Sequence, residues 1–488
     1  MALEPTWKIA KYRDFTGGEN RVASPELLLS NQIFSGINLK ISADGSVETR
    51  RGKTKINTTS LGAGPILSAF RWAKENGTKY ITVQHGTVLY NATWDGVSEI
   101  SSFTSVKTGL TAGVKLRGVV WKDNLHLVNG TQNNFAFDGT ACTDHAGTPP
   151  KSTIIKVYAN RLWINDVSLP NLLRFSDLES FDVWDTLNVI KFRSGDGDAI
   201  KGAAALPGGM VVFKQASAWT MYGTNIDNIR VDLLSDYIGV DSDDSILSDG
   251  IFVGPDNFYR FNLSSITPFS STHKEYISIL TAAQKQAVSA VYVPDWQCAI
   301  ISLRDFRQIY VDAQTGAIFT WTGLNVSAMA TATVSGDDGS LIVGDADNGN
   351  IYIVNNLEDD DGAAIPTDFR TSYVDLDSPR DKVFRAIRPN IEVLHPRTGK
   401  TPKASLIYDV DFSSILGLSQ KQPPYNNTLT WGEGKWGENT WVGPHERTEN
   451  ETFYFSARGR FLSIRVSSET RIKIKSLELK FRNIGRDL

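Results

Sequence analysis

A loose unit that returns every 40 to 50 residues constrains this 488-residue chain more than any other feature of its sequence. The unit is a short apolar strand, a turn at Gly, Asp or Asn, a second apolar strand, a further turn, and a third strand that carries an aromatic residue. It begins at Ile66 (ILSAFRW), Lys115 (KLRGVVWKDNLHLVNG), Thr153 (TIIKVYANRLWIN), Ala199 (AIKGAAALPGGMVVFK), Ser245 (SILSDGIFVGPDNFYRFN), Ala290 (AVYVPDWQCAIISL) and Ala328 (AMATATV). Three or four short strands with their turns consume about this many residues, and one such sheet cannot bury both of its faces alone. Successive sheets must then pack on one another around a ring. The expectation is an all-β fold with a β-propeller of about seven blades over residues 66–356; a large array of β-sandwiches is the competing architecture.

The flanking regions have a different pattern. Residues 1–65 read as an N-terminal arm that crosses the ring and contributes a strand to close it, with an apolar patch at Leu27–Leu29 and a basic turn at Arg50-Arg51-Gly52. Residues 357–367 read as a polar linker, and 368–488 as a C-terminal β-sandwich domain. The strands there are longer and alternate with a period of two: FRTSYVDL, VFRAIRPNIEVLH, KASLIYDVDF, ETFYFSARGRFLSIRVSS and TRIKIKSLELKFRN. The stretch Trp431–Trp441 (WGEGKWGENTW) reads as an exposed, glycine-rich aromatic loop. A short helix is expected only over Lys274–Gln286.

Composition narrows the function classes. A formal net charge of −4 offers no bulk attraction for nucleic acid. Two cysteines, Cys142 and Cys298, exclude a disulfide framework and a Cys-rich zinc site. No apolar run is long enough to span a membrane, and MALEPTWKIAKYRDF has no apolar core of a secretory signal. Eight N-x-S/T sequons, among them those at Asn91 and Asn129, are then better read as turn chemistry than as glycan acceptors.

No phosphate-cradling glycine loop, H-E-x-x-H or G-x-S-x-G motif occurs, and the six histidines show no pair at ligand spacing. No cofactor or metal is expected. A glycosidase needs only two carboxylates, so Asp196 with Asp198, and Asp241, Asp243 and Asp244, are the candidates for that chemistry. As turn residues between blades they would instead cap backbone N–H groups. Asp359-Asp360-Asp361-Gly362 lacks the spaced ligands of an EF-hand and reads as a solvated linker. Trp431, Trp436 and Trp441 could stack on sugars or pack their own ribbon.

Charge is segregated along the chain. Ser327–Phe369 holds nine acids and no Lys or Arg, whereas Phe453–Leu488 holds nine Lys or Arg and three acids. Strand alternation puts Arg471, Lys473 and Lys475 on one face, opposite Ile472 and Ile474. With Arg50, Arg51 and Lys53 these are the candidate assembly contacts. Asp337, Asp338, Asp345 and Asp347 are the candidate acidic channel or interface.

The order of parts resembles a known family. GGENRVASPELLLSNQIFSGINLKISADGSVETRRGKTKI, LWINDVSLPNLLRFSDLESFDVW with AALPGGMVVFKQASAWTMYG, and the closing ARGRFLSIRVSSETRIKIKSLELKF are similar to stretches of the tail nozzle, or tail hub, proteins of short-tailed bacteriophages. The nearest likeness is to the shorter hubs of the DNA-stabilisation family. The resemblance covers most of the chain in order and length. It implies a non-enzymatic virion protein of the tail, made in the host bacterial cytoplasm. Such a protein forms a six-subunit ring around the DNA exit channel below the portal and adaptor, carries tail spikes or fibres, and lets packaged DNA pass without reading its sequence. The acidic last repeat would then suit a channel wall that repels DNA. WGEGKWGENTW and the absence of long insertions depart from the family's pattern. A propeller glycosidase or depolymerase, or a glycan-binding tail protein, is the alternative.

Overall fold

The computed structural model describes residues 7–484, apart from 97, 194, 225–226, 248, 271, 304–306, 332–339, 356–357, 374–375, 377–379, 395–403, 412, 420–446 and 450–451. Asp337, Asp338, Trp431, Trp436 and Trp441 lie outside the described residues. The chain divides into two compact units, one of residues 54–309 with 324–355, the other of residues 1–53, 310–323 and 356–488.

The first unit is built from meanders of antiparallel strands. Four four-stranded sheets follow one another over Ile66–Lys107, Cys142–Asp144 with the strands from Arg117, Ile155–Lys191 and Ile200–Ser235; a three-stranded sheet spans Ile251–Ser270. A hairpin of Ser289–Val293 and Cys298–Ser302 comes next. The last sheet holds Val326–Thr331, Leu341–Asp345 and Ile351–Val354, and its fourth strand comes from Lys53–Lys55, far away in sequence. Each repeat start read from the sequence falls within a few residues of the first strand of one of these sheets or of the hairpin.

The innermost elements are neighbours in a closed cycle: Ile66–Ala73, Arg117–Trp121, Ile155–Tyr158, Ile200–Leu206, the 3-10 turn Asp243–Ser245, Ser289–Val293, Val326–Thr331, and Ile66–Ala73 again. The core accordingly includes separate clusters in gaps between neighbouring sheets. Trp72 and Leu89 of the first sheet pack on Leu125, Leu127, Phe135 and Phe137 of the second. Trp163, Leu173 and Phe175 meet Met210, Val212 and Met221. Phe213 stacks obliquely on Phe252 at 4.9 Å and meets Phe261 edge-on at 5.1 Å. Ile342 and Ile353 of the last sheet cover Ile66, Ile81 and Val83 of the first. A sheet with two apolar faces finds cover on both only when the row of sheets bends round and closes, and the result is a β-propeller.

The expected helix divides into Lys274–Ser278 and Ala282–Ala287. Thr281 starts the second with a capping box, its side chain accepting from the Gln284 amide.

The second unit holds two sheets. In one, the long strands Lys382–Val393 and Ile472–Asn483 pair along their length, flanked by Lys8–Tyr12, Val47–Thr49, Leu39–Ile41, Phe453–Gly459 and Arg447–Glu449. The other runs Ile318–Trp321, Gln32–Ile37, Thr367–Thr371, Leu462–Ser468, Ala404–Val410, Ser413–Ser419. Phe15, Phe369, Phe384, Val466, Ile474 and Leu479 are among its fully or almost fully buried residues. Residues 1–53 thus belong with the C-terminal region, and of the sequence-read arm only the stretch from Thr54 onward sits in the ring unit.

Candidate functional site

The innermost strands of the ring unit enclose a cavity of about 600 Å³, and its charged lining is the candidate site. Alternation on the strand entering at Lys115 sends Leu116 into the core while Lys115 and Arg117 line the cavity. Lys156 reaches it from the third sheet. The carboxylates come from Asp243 and Asp244, on a 3-10 turn that starts at Ser242, whose hydroxyl accepts from the Asp244 amide. This turn lies against Gly202: a Cβ there would sit 2.4 Å from Ile246 Cδ1 and 3.2 Å from the Asp243 Cα, so glycine is what lets it approach.

Arg117 donates from Nε and Nη2 to Asp244 Oδ2 at 3.1 and 2.9 Å, and Nη2 also reaches Ser242 Oγ at 3.2 Å. Lys115 Nζ is 3.3 Å from the same carboxylate oxygen. Lys156 donates to Asp243 Oδ2 at 3.0 Å, and Asp243 Oδ1 accepts from the Ala203 amide at 3.0 Å. Burial would raise the Asp244 carboxyl, but Lys115 and Arg117 outweigh it and hold the group far below the usual carboxylate range. The Arg117 guanidinium is stabilised in turn against its own burial by Asp244 and Asp243. The arrangement is a charge-paired clasp across the middle of the ring, with one cation in excess over its two carboxylates.

Asp196 and Asp198, also singled out in the sequence, are committed as well. Asp196 pairs with the fully buried Lys214 at 2.7 Å, and that contact holds its carboxyl low. Asp198 accepts from the Ala216 amide at 3.0 Å and from Ser217 Oγ at 2.7 Å. Asp241 lies next to the capping Ser242. Asp249, which the sequence reading did not single out, has its carboxyl raised by burial and accepts from the Ile251 amide.

The assembly candidates separate by depth. Arg50 is fully buried in the second unit, where it grips Asp360 through both terminal nitrogens at 2.9 and 2.5 Å and donates Nε to Asn38 Oδ1 at 3.0 Å. Arg471 is likewise buried, and burial pushes its pKa down. Neither offers a neighbour any surface, because a guanidinium taken out of water needs internal acceptors. The same pairing corrects the linker reading, since Asp360 is buried and spends its carboxylate on Arg50. Arg51 and Lys53 are half-buried, with Lys53 Nζ 3.3 Å from the Gly323 carbonyl. Lys473 and Lys475 share the half-exposed face as alternation requires, and pair with Asp44 at 3.0 Å and Glu392 at 2.6 Å. In the acidic set, Asp345 is buried and accepts from the Asp347 amide at 2.8 Å; exposed Asp347 accepts from Asn325 at 2.6 Å.

Sequence reasoning missed one pair. His126 and His145, nineteen residues apart, meet with Nδ1 and Nε2 3.1 Å from each other. The Trp121 carbonyl, 3.2 Å from His126 Nε2, fixes that nitrogen as the protonated one, so His126 Nδ1 accepts from His145. Burial first, and then His145, pushes the His126 imidazole down to about 3. Only the register of strands in the second sheet brings the two together.

No protein-family model and no curated protein matches the chain. Solved structures do. The WD40 domain of Pan2 from Neurospora crassa is similar over 63% of this chain and 97% of its own, at 8% identity and a TM-score of 0.41. The extracellular domain of a one-component system from B. thetaiotaomicron aligns with 74% of this chain at 13% identity and a TM-score of 0.43. A second structure, described as a hybrid two-component system, gives 12% and 0.44. The chain spans 56% of the length of these two.

Proposed function

We propose that the chain is a non-catalytic structural protein, a tail nozzle or hub of a short-tailed bacteriophage, with its repeats forming a seven-bladed propeller and the sheets of its second unit a β-sandwich. The observation that carries the non-catalytic reading is the state of the carboxylates. Asp196, Asp198, Asp243 and Asp244 all hold cations, hydroxyls or backbone amides. A glycosidase needs one carboxyl kept protonated across from a second. The likeness of the opening, middle and closing stretches to tail hubs supports the rest.

In this reading copies assemble as a six-subunit ring below the portal and adaptor in the virion tail. Packaged DNA passes through without sequence recognition, and spikes or fibres attach outside. Light scattering on the purified protein, alone and with an adaptor ring, tests it. A closed ring is the expected species; a monomer at every concentration that joins no adaptor overturns the reading. Sugar release from host polysaccharide, lost in Asp196→Asn or Asp243→Asn, overturns it in favour of a depolymerase.

A further inference from the structure

Two exposed apolar patches of opposite charge stand out among the described residues. The first is the loop between the third and fourth strands of the third sheet. It presents Leu178, Val183 and Leu187 at 61%, 51% and 73% exposure. The loop is held in shape by its own hydrogen bonds: the Asp177 amide donates to the Val183 carbonyl at 2.9 Å, Asn188 Nδ2 to Asp177 Oδ1 at 2.7 Å, and the Ala146 amide to Asp182 Oδ1 at 3.1 Å. From Phe175 to Ile190 it carries Asp177, Glu179, Asp182 and Asp185 and no Lys or Arg. Among its cationic neighbours are Lys122, 3.9 Å from the Glu179 carboxylate, and Arg161, which donates to the Ser176 carbonyl at 2.8 Å.

The second patch lies on the outer face of the long sheet in the other unit. Residues directly opposite in antiparallel strands share a face. Tyr454 stands opposite Ala386, Ala386 opposite Lys480, and Lys480 opposite Ile9, so one row crosses four strands. Tyr454 and Ile9 are 78% and 58% exposed. In the adjoining row Arg458 and Arg482 both stand opposite Val383. Lys480 Nζ and the Arg482 guanidinium lie 5.6 and 5.1 Å from the centre of the Trp7 ring. That placement occupies the ring with cations and leaves less of it for stacking on a base.

We infer that the acidic apolar loop at 177–188 of one copy docks on the basic apolar sheet face around Ile9, Tyr454, Lys480 and Arg482 of a second copy. A rigid apolar loop with four carboxylates needs a partner that covers leucines and supplies cations, and this sheet face provides both. The two surfaces are different patches of one chain, so the contact is head-to-tail, the class of contact from which rings are built. The inference rests on the ring reading and names its interface.

The full-length chain tests it. Glu179→Lys, Asp185→Lys and Thr186→Lys together take the loop from four carboxylates and no cation to two carboxylates and three cations, which reverses its sign, and Lys480→Glu with Arg482→Glu reverses the sheet's. Each variant alone is expected to lose the ring at least tenfold in association constant, with an unchanged circular dichroism spectrum, and a mixture of the two is expected to regain it. Leu187→Ser with Tyr454→Ser is expected to weaken the ring without changing its salt dependence. A wild-type ring that all variants form equally well overturns the interface and leaves the ring reading standing. A wild-type monomer overturns both. Binding of a fluorescent single-stranded oligonucleotide that is lost in Lys480→Glu/Arg482→Glu, with the ring intact, overturns the interface in favour of a nucleic-acid surface.

Discussion

Arg50 shows what a single residue does in this fold. Five contacts hold its guanidinium, to Asn38, the Arg51 and Thr322 carbonyls, and both oxygens of Asp360, 310 residues away. Removing one partner strands a charge out of water, so Asp360→Asn is expected to cost about 3–5 kcal/mol, and replacing both residues by apolar ones considerably less. Urea unfolding of the single and double variants checks this. His126 carries a pH signature. Its pKa lies near 3 in the fold against 6.5 in the unfolded chain, so as pH falls the unfolded state binds the proton first. Its contribution is complete above about pH 6.5 and is lost on the way down, at about 1.4 kcal/mol per pH unit. The window between about pH 6 and 5 isolates it from carboxylates. Unfolding measured there should show a slope that His126→Leu reduces, His145 beside it being held low by burial as well; an equal slope in the variant refutes the assignment. Asn91 and Asn129, both in sequons, are buried, Asn91 accepting from Thr82 and Asn129 capping Thr131 and Gln132, which accords with turn and packing roles.

Among the elements, the closing sheet matters most to the ring. Asn57 is buried beside it, accepting from the Ile351 amide at 2.8 Å and donating to the Gly349 and Thr59 carbonyls. Ile56 pairs with the Ile351 carbonyl at 2.9 Å. Asn57→Ala takes the side-chain acceptor from the Ile351 amide, while the Gly349 carbonyl keeps the Leu61 amide at 3.1 Å, and the loss costs about 1–3 kcal/mol. Hydrogen exchange should then accelerate first in Val326–Val354; uniform acceleration through all the sheets would show that the closing strand is not the weak seam. The 3-10 turn at Asp243–Ser245 is the other joint. Gly202→Ala sets a methyl against Ile246 and the Asp243 backbone, with an expected loss of about 1–3 kcal/mol in a thermal or urea melt. A melt equal to wild type would mean the turn can shift outward.

For the whole molecule, a net charge of −4 conceals a segregation that the proposed contact uses. Screening acts on opposed surface charges, so raising salt from about 0.05 to about 0.5 M is expected to weaken self-association several-fold. Sedimentation across that range checks it, and association that strengthens with salt would point to an apolar contact alone.

Much of this fold was legible because it is local. A blade is a meander of neighbouring strands, and the turn spacing and apolar runs that begin at Ile66, Arg117, Ile155 and Ile200 are written within about forty residues each. Alternation likewise places Lys473 and Lys475 on one face of a strand. The candidate site was less legible. Lys115, Arg117 and Lys156 looked like ordinary strand charges, and Asp243 and Asp244 like turn residues, because only the closure of the ring sets them around one cavity. The Arg50–Asp360 pair, the His126–His145 contact and the membership of residues 1–53 in the C-terminal unit depend on partners far apart in the chain. Period and composition act over a strand or a turn, so the sequence by itself determined the repeating all-β character. Which charges face each other across a gap depends on how distant strands are brought into register, and only the tertiary structure decided that.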